Sequence, residues 1–214
     1  MQLFVINKYF TLLVGLSVAI SILYIAGYKH NIKLMKLIAE SLENALTPRD
    51  KLYTYLGGVL GFAVDYDVDG FKKVHATLRL IPRQSILYLP FVFLTNRKDS
   101  LQLMFYTKNP IKSEFHLIKE SVLDFFTKPK IYNRNKLKSK IVEIEGKKWE
   151  MLYEDETYHN FINLINFFNS RHFKHLAITK ENNIVYIKLE FYKIDYKSLT
   201  TSIQKAKKFI EAAV

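Results

Sequence analysis

The chain has 214 residues, no cysteine and a formal net charge of +12 at neutral pH. The missing thiols exclude disulfides, thiolate catalysis and cysteine-based zinc sites, and they fit a domain facing a reducing compartment. An aromatic fraction of 14%, with 16 Phe and 14 Tyr, argues for a packed core rather than a disordered polycation.

The first element runs from Tyr9 to Tyr28 without a charged side chain. As a helix rising about 1.5 Å per residue, it covers the roughly 30 Å hydrocarbon core of a bilayer. A cleaved signal peptide wants a shorter apolar centre and a basic start. Here only Lys8 precedes the run, whereas Lys29, Lys33 and Lys36 follow it. The expectation is one retained transmembrane helix with its C-terminal side cytosolic, by the positive-inside bias. Thr11, Gly15 and Ala19 recur at four-residue spacing, as do Ser17 and Ser21. Such a stripe either docks a second membrane helix or reflects the small residues common in spans. No ionisable side chain lines the run, so transport by this chain alone is not expected.

Residues 1–28 are thus read as an anchor, 29–50 as a juxtamembrane helix and 51–214 as one cytosolic α+β domain with an antiparallel sheet. The part after the anchor carries 31 basic and 20 acidic side chains, a balance of +11. Met35, Ile38, Leu42, Ala45 and Leu46 fall at helical spacing, and Thr47-Pro48 ends the helix. Phe62 to Val68 and Val74 to Leu80 alternate as a hairpin turning at Asp69-Gly70. The apolar run Ile86 to Leu94 is too short to span; it is either a buried segment broken near Pro90 or a patch dipping into the interface, and burial is the reading taken.

Leu101 to Tyr106 reads as a buried strand, Phe115 to Ile118 as a short strand or helix start, and Lys119 to Thr127 as a helix. Ile141 to Ile144 and Trp149 to Tyr153 form a second hairpin around Glu145-Gly146. A helix from Glu156 to Asn169 presents Phe161, Leu164, Ile165 and Phe168. Two strands, Leu176 to Thr179 and Ile184 to Phe191, join at Asn182-Asn183. The last helix starts near Asp195, packs through Leu199, Ile203, Ala206, Ile210 and Ala213, and leaves Lys205, Lys207 and Lys208 outside.

Asp65, Asp67, Asp69 and Gly70 spell the opening of a calcium loop, but its twelfth position is Ala76 and its ninth Lys73, so a β-turn is expected. His172 and His175 are three apart with no carboxylate at ligand spacing, and a structural or surface role is expected. The chain has no G-x-S-x-G, no H-E-x-x-H and no glycine-rich phosphate loop. No enzyme activity, metal or cofactor is expected. Lys128, Lys130, Arg134, Lys136, Lys138 and Lys140 follow one another without an acid and with Tyr132 among them. Such a loop can grip phosphates of RNA or of lipid headgroups, or simply be solvated.

One span, an α+β domain, the segment Leu78-Arg79-Leu80-Ile81-Pro82-Arg83-Gln84-Ser85-Ile86-Leu87, the Lys128-Pro129-Lys130 turn and the ending Ile203-Gln204-Lys205-Ala206-Lys207-Lys208-Phe209 together resemble the calumin family. Members of that family are coiled-coil-containing membrane proteins that pair with the small membrane protein Asterix in the PAT chaperone complex of the endoplasmic reticulum translocon. The resemblance implies a non-enzymatic, ribosome-associated factor that helps multi-spanning proteins insert and fold. It would bind an Asterix-like multi-spanning partner, ribosomal RNA, membrane lipids and nascent clients. Arg79, Arg83, Gln84, Lys205, Lys207 and Lys208 are the charged and polar positions of the matching segments. The family also has an acidic lumenal region before its span and a long basic coiled coil after the last segment. Neither is present here, so its calcium binding and coiled-coil ribosome contact do not carry over, and the chain reads as a shortened form. An adaptor that holds anionic lipid surfaces through its basic face is the alternative.

Overall fold

The computed structural model describes residues 8–120, 129–168 and 170–214. One helix, α1 (Lys8–Leu46), runs unbroken for 39 residues. Its apolar window has a mean hydropathy of 2.2 and no part of that window is buried. This helix is therefore long and apolar enough to cross a membrane, and none of the described residues covers its first half. Its second half behaves differently: Asn31, Met35, Ile38, Leu42 and Ala45 recur every three or four residues and are buried. The helix is two structures end to end, a bare rod and a core helix, and the period of its apolar residues marks the change.

The remaining chain builds a sheet from β1 (Asp50–Tyr55), β2 (Gly61–Asp67), β3 (Phe71–Arg79), β4 (Asp99–Thr107), β5 (Phe115–Lys119), β6 (Lys138–Ile144), β7 (Lys147–Tyr153), β8 (Phe173–Thr179) and β9 (Ile184–Phe191). Its order is β1-β2-β3-β4-β9-β8-β5-β7-β6. Every neighbouring pair is antiparallel. The fold is α+β. Alternation decides which face is covered. Val64, Val74, Leu103, Ile187, Leu176 and Leu117 point to the same side and are buried. Against that face lie the second half of α1, the short α3 (Leu164–Phe167) and α4 (Tyr196–Ala213). Asp195 caps α4, accepting hydrogen bonds from the Lys197 and Ser198 amides. Ser41 donates to the Tyr196 carbonyl and Lys207 to the Leu46 carbonyl, so α1 and α4 run side by side in the same direction.

The hairpin at Asp69-Gly70 forms as the sequence indicates, with Gly70 at φ +88°. The second hairpin turns at Glu145-Gly146, both with positive φ, but β6 begins already at Lys138. Phe115–Lys119 is a strand, and β8 starts at Phe173 rather than Leu176. Three readings need correction. The helix over Glu156 to Asn169 is a 3-10 stretch at His159–Asn163 followed by the single turn α3, although Phe161, Leu164, Ile165 and Phe168 are buried as their spacing indicates. Asn160, Asn163 and Asn166 are weak helix formers and break the regular winding. Ile86 to Leu94 is not a buried segment: Leu87 is 90% and Leu94 85% exposed, while Val92 is buried. Nor does Pro90 break it, since proline fits the first turn of α2 (Leu89–Leu94), where no amide partner is lost. The helix expected at Lys119 to Thr127 falls almost wholly outside the described residues.

Candidate site at the root of the apolar helix

Where the bare rod of α1 becomes a core helix, three polar side chains meet. Asn31, fully buried, donates through Nδ2 to the Ile81 carbonyl at 3.0 Å and the Val59 carbonyl at 3.1 Å. Its Oδ1 accepts from Arg83 Nη1 at 3.1 Å. The Arg83 guanidinium also forks onto Asp99, at 3.0 and 2.5 Å, and Asp99 is 1% exposed. Asp99 Oδ1 further accepts from the Ile81 amide at 2.8 Å. Every strong donor and acceptor of this buried cluster is paired, the condition under which such a network fixes geometry. One turn earlier in the helix, a Cβ on Gly27 would stand 2.3 Å from the Arg83 carbonyl oxygen. Only glycine lets the segment Ile81 to Ser85 lie directly on α1.

From this clamp projects a finger, a 3-10 turn at Ile86–Tyr88 running into α2. Arg97 Nη1 donates to the Tyr88 hydroxyl at 2.7 Å and lies over the Phe91 ring, while the Tyr192 hydroxyl donates to Asn96 Oδ1 at 2.7 Å. The polar groups therefore brace the base of the finger and leave Leu87, Phe91 and Leu94 outward.

The strands order the other groups at this end of the sheet. β3, β5 and β9 finish here, while β2, β4, β7 and β8 begin here. Lys119 and Lys147 at the ends of β5 and β7, Lys174 on β8, and Lys98 and Arg171 just before β4 and β8 consequently lie near one another at this end. Lys119 donates to the Ser170 carbonyl at 3.0 Å, and Lys147 to the Ser170 hydroxyl at 3.2 Å. Burial, and then the charge of Lys147, hold the Lys119 ammonium down at about 8. Burial also lowers His172, with Lys119 and Lys147 adding to it. On the opposite flank of α1 lies an apolar groove of about 470 Å³ bounded by Tyr28, Ile32, Met35, Tyr55 and Val59. It adjoins β1, an outer strand of the sheet with Leu52 and Tyr55 exposed.

The residues singled out from the sequence are distributed over several places. Thr11, Gly15, Ala19, Ser17 and Ser21 are all exposed on the bare rod. The Ser17 and Ser21 hydroxyls donate to the Leu13 and Ser17 carbonyls within the helix, so neither needs an outside acceptor. The basic run does not form one patch. Arg134 pairs with Glu150 on the face away from the helices. Lys138 and Lys140 sit on the outer strand β6 opposite Tyr153 and Met151, hence on the helix-covered side. Lys130 and Lys136 are exposed, and Lys128 lies outside the described residues. Of the segments that carry the family resemblance, Arg83 and Gln84 are in the clamp and Lys207 caps α1, whereas Arg79, Lys205 and Lys208 are exposed.

Asp65 pairs with His75 and Lys73, and Asp69 with Arg49, so these two hairpin carboxylates have side-chain partners within the protein. His172 and His175 do not meet. His175 instead stacks on His116, ring centres 5.9 Å apart, on the uncovered face beneath residues 129–133. Among the described residues no group of three or more His, Cys, Asp or Glu is placed to hold a metal ion. The clamp escaped the sequence reading because Asn31, Arg83 and Asp99 are far apart in the chain. The one available signal was an asparagine at a core position of the α1 period. No family model matches this chain, and no curated protein matches it.

Proposed function

We propose that this chain is a single-pass membrane-protein biogenesis factor of the calumin type, resident in the endoplasmic reticulum membrane with its sheet domain in the cytosol. The observation that carries this reading is the clamp. Residues of the calumin-like segment, Arg83 and Gln84, hydrogen-bond to Asn31 where the bare apolar rod joins the sheet domain, and Arg83 also pairs with Asp99. A scaffold that must hold a membrane partner and the translation machinery in register needs such a joint. The exposed stripe through Gly15 offers a small multi-spanning, Asterix-like partner close approach. The apolar groove beside Tyr28 offers a resting place for a client segment leaving the bilayer. The exposed cations of the domain face ribosomal RNA.

Two measurements test the two halves. A photo-crosslinker in place of Gly15, present during synthesis of a multi-spanning client, should capture the client or a small membrane partner; an empty result removes the chaperone role. Salt-washed membranes containing the protein and its partners should recruit more ribosomes than membranes lacking it, and equal recruitment removes the ribosome contact. The cations gathered at the root of α1 favour a second reading, an adaptor holding anionic lipid. In that case the reconstituted protein gathers acidic lipid around itself and leaves ribosomes unbound.

A further inference from the structure

Among the described side chains of the finger formed by Ile86 to Leu94, Val92 alone is buried, and Leu87 and Leu94 are the most exposed large aliphatic side chains described in the sheet domain. Its sequence from Ser85 to Thr95 contains no charge. Left in water, Leu87, Phe91 and Leu94 would be an uncompensated apolar surface. Their position relative to α1 gives them an occupant. The finger leaves the clamp directly after Arg83 and Gln84, whose backbone rests on Gly27. Gly27 is the penultimate residue of the charge-free run, the level at which a spanning α1 leaves the hydrocarbon. Tyr24 and Tyr28, with rings 6.2 Å apart, mark the same level on the helix. Behind the apolar tip stand Arg97 and Lys98, followed along the same end of the sheet by Arg171, Lys174, Lys119 and Lys147. An apolar tip with a cationic base is the pattern of a segment lying in a lipid interface.

We infer that Ile86 to Leu94 inserts into the interfacial layer of the same leaflet from which α1 emerges, a second and shallow lipid contact beside the span. Leu87, Phe91 and Leu94 enter the acyl boundary, while Arg97 and Lys98 remain among the phosphates. Because the finger is braced to the clamp, two contacts at different points fix the domain's height and its rotation about the helix. This inference rests on α1 spanning the bilayer.

The chain contains no cysteine, so single probes can be placed at will. Leu87→Cys, Leu94→Cys, Leu16→Cys, Tyr132→Cys and Leu52→Cys variants of the full chain would each carry an environment-sensitive fluorophore. They would be reconstituted into vesicles of phosphatidylcholine and phosphatidylserine, with lipids brominated at shallow or deep acyl positions. The expected result is blue-shifted emission at Leu87 and Leu94, quenched most by shallow bromines, and quenching at Leu16 by deep ones. Tyr132 and Leu52, exposed elsewhere on the domain, should remain unshifted and unquenched. If Leu16 is quenched while Leu87 and Leu94 behave like Tyr132, the inference is wrong and the span stands. A blue shift at Leu87 without lipid quenching means that protein covers the finger, which also overturns it. Should Leu16 itself escape quenching, span and finger fail together.

Discussion

Asn31 is the residue on which the joint between rod and domain turns. It sits where the α1 pattern calls for an aliphatic side chain, and it binds two carbonyls and a guanidinium at once. Arg83→Ala would leave the buried Asp99 carboxylate without its cation, a change that costs about 3–5 kcal/mol in comparable buried pairs. Thermal unfolding of the detergent-solubilised chain should register it as a large drop in melting temperature. His175 makes a different prediction. Burial, with the charges of His116 and Lys188 adding, pushes its imidazole down to about 3, and burial lowers His116 as well. The unfolded chain therefore binds protons that the folded one refuses, at pH values below the ordinary histidine range near 6.5. Stability is complete above that range and falls as pH drops toward 3, by up to about 1.4 kcal/mol per pH unit for each proton taken up. Melting curves recorded from pH 7 to pH 4 should show the decline, and His175→Gln should flatten it. None of this was readable from spacing, because His116 and His175 meet only through the pairing of β5 with β8.

At the scale of elements, Gly27 decides whether the segment Ile81 to Ser85 can lie on α1. A Gly27→Val substitution forces the two apart, and overpacking of this kind typically costs about 1–3 kcal/mol. Limited proteolysis should then cut the segment between Ile81 and Leu94 faster than in the unsubstituted chain. Asp195→Ala removes the cap of α4 and should lower stability by about 1 kcal/mol, measurable in denaturant melts. The elements that alternation or helical period describes well, the β2–β3 hairpin, β4, β9 and α4, were legible because each buries one face. β1 was missed, since as an outer strand it buries almost nothing and its residues show no alternation. The start of β6 was hidden by lysines, which protect an outer strand from pairing with other chains but read as a basic loop. The finger was read as buried because a short apolar run looks the same in a core and on a surface, and only the folded chain shows Leu87 and Leu94 turned outward.

At the scale of the molecule, the cations distribute differently from their order in the sequence. The run from Lys130 to Lys140 is divided between the two faces of the sheet, while Lys119, Lys147 and Lys174 on strands β5, β7 and β8 come near Lys98 and Arg171, which precede β4 and β8. Reversing charge there, with Lys119→Glu and Lys147→Glu in one chain, should abolish any enrichment of phosphatidylserine around the reconstituted protein. The same reversal with Lys138→Glu and Lys140→Glu should leave it unchanged. Fluorescent-lipid recruitment to vesicles containing each variant would make the comparison.

The continuity of α1 gives the domain a property that a hinged anchor would lack. From Asn31 to Leu46 the same helix whose first half is apolar enough to cross a membrane becomes the spine of the sheet, about 24 Å long at its usual rise. A rod that leans to suit a thinner bilayer must lean as a whole. The far hairpin tips would then repeat that inclination, and membrane thickness would set the reach of the domain over the surface below it.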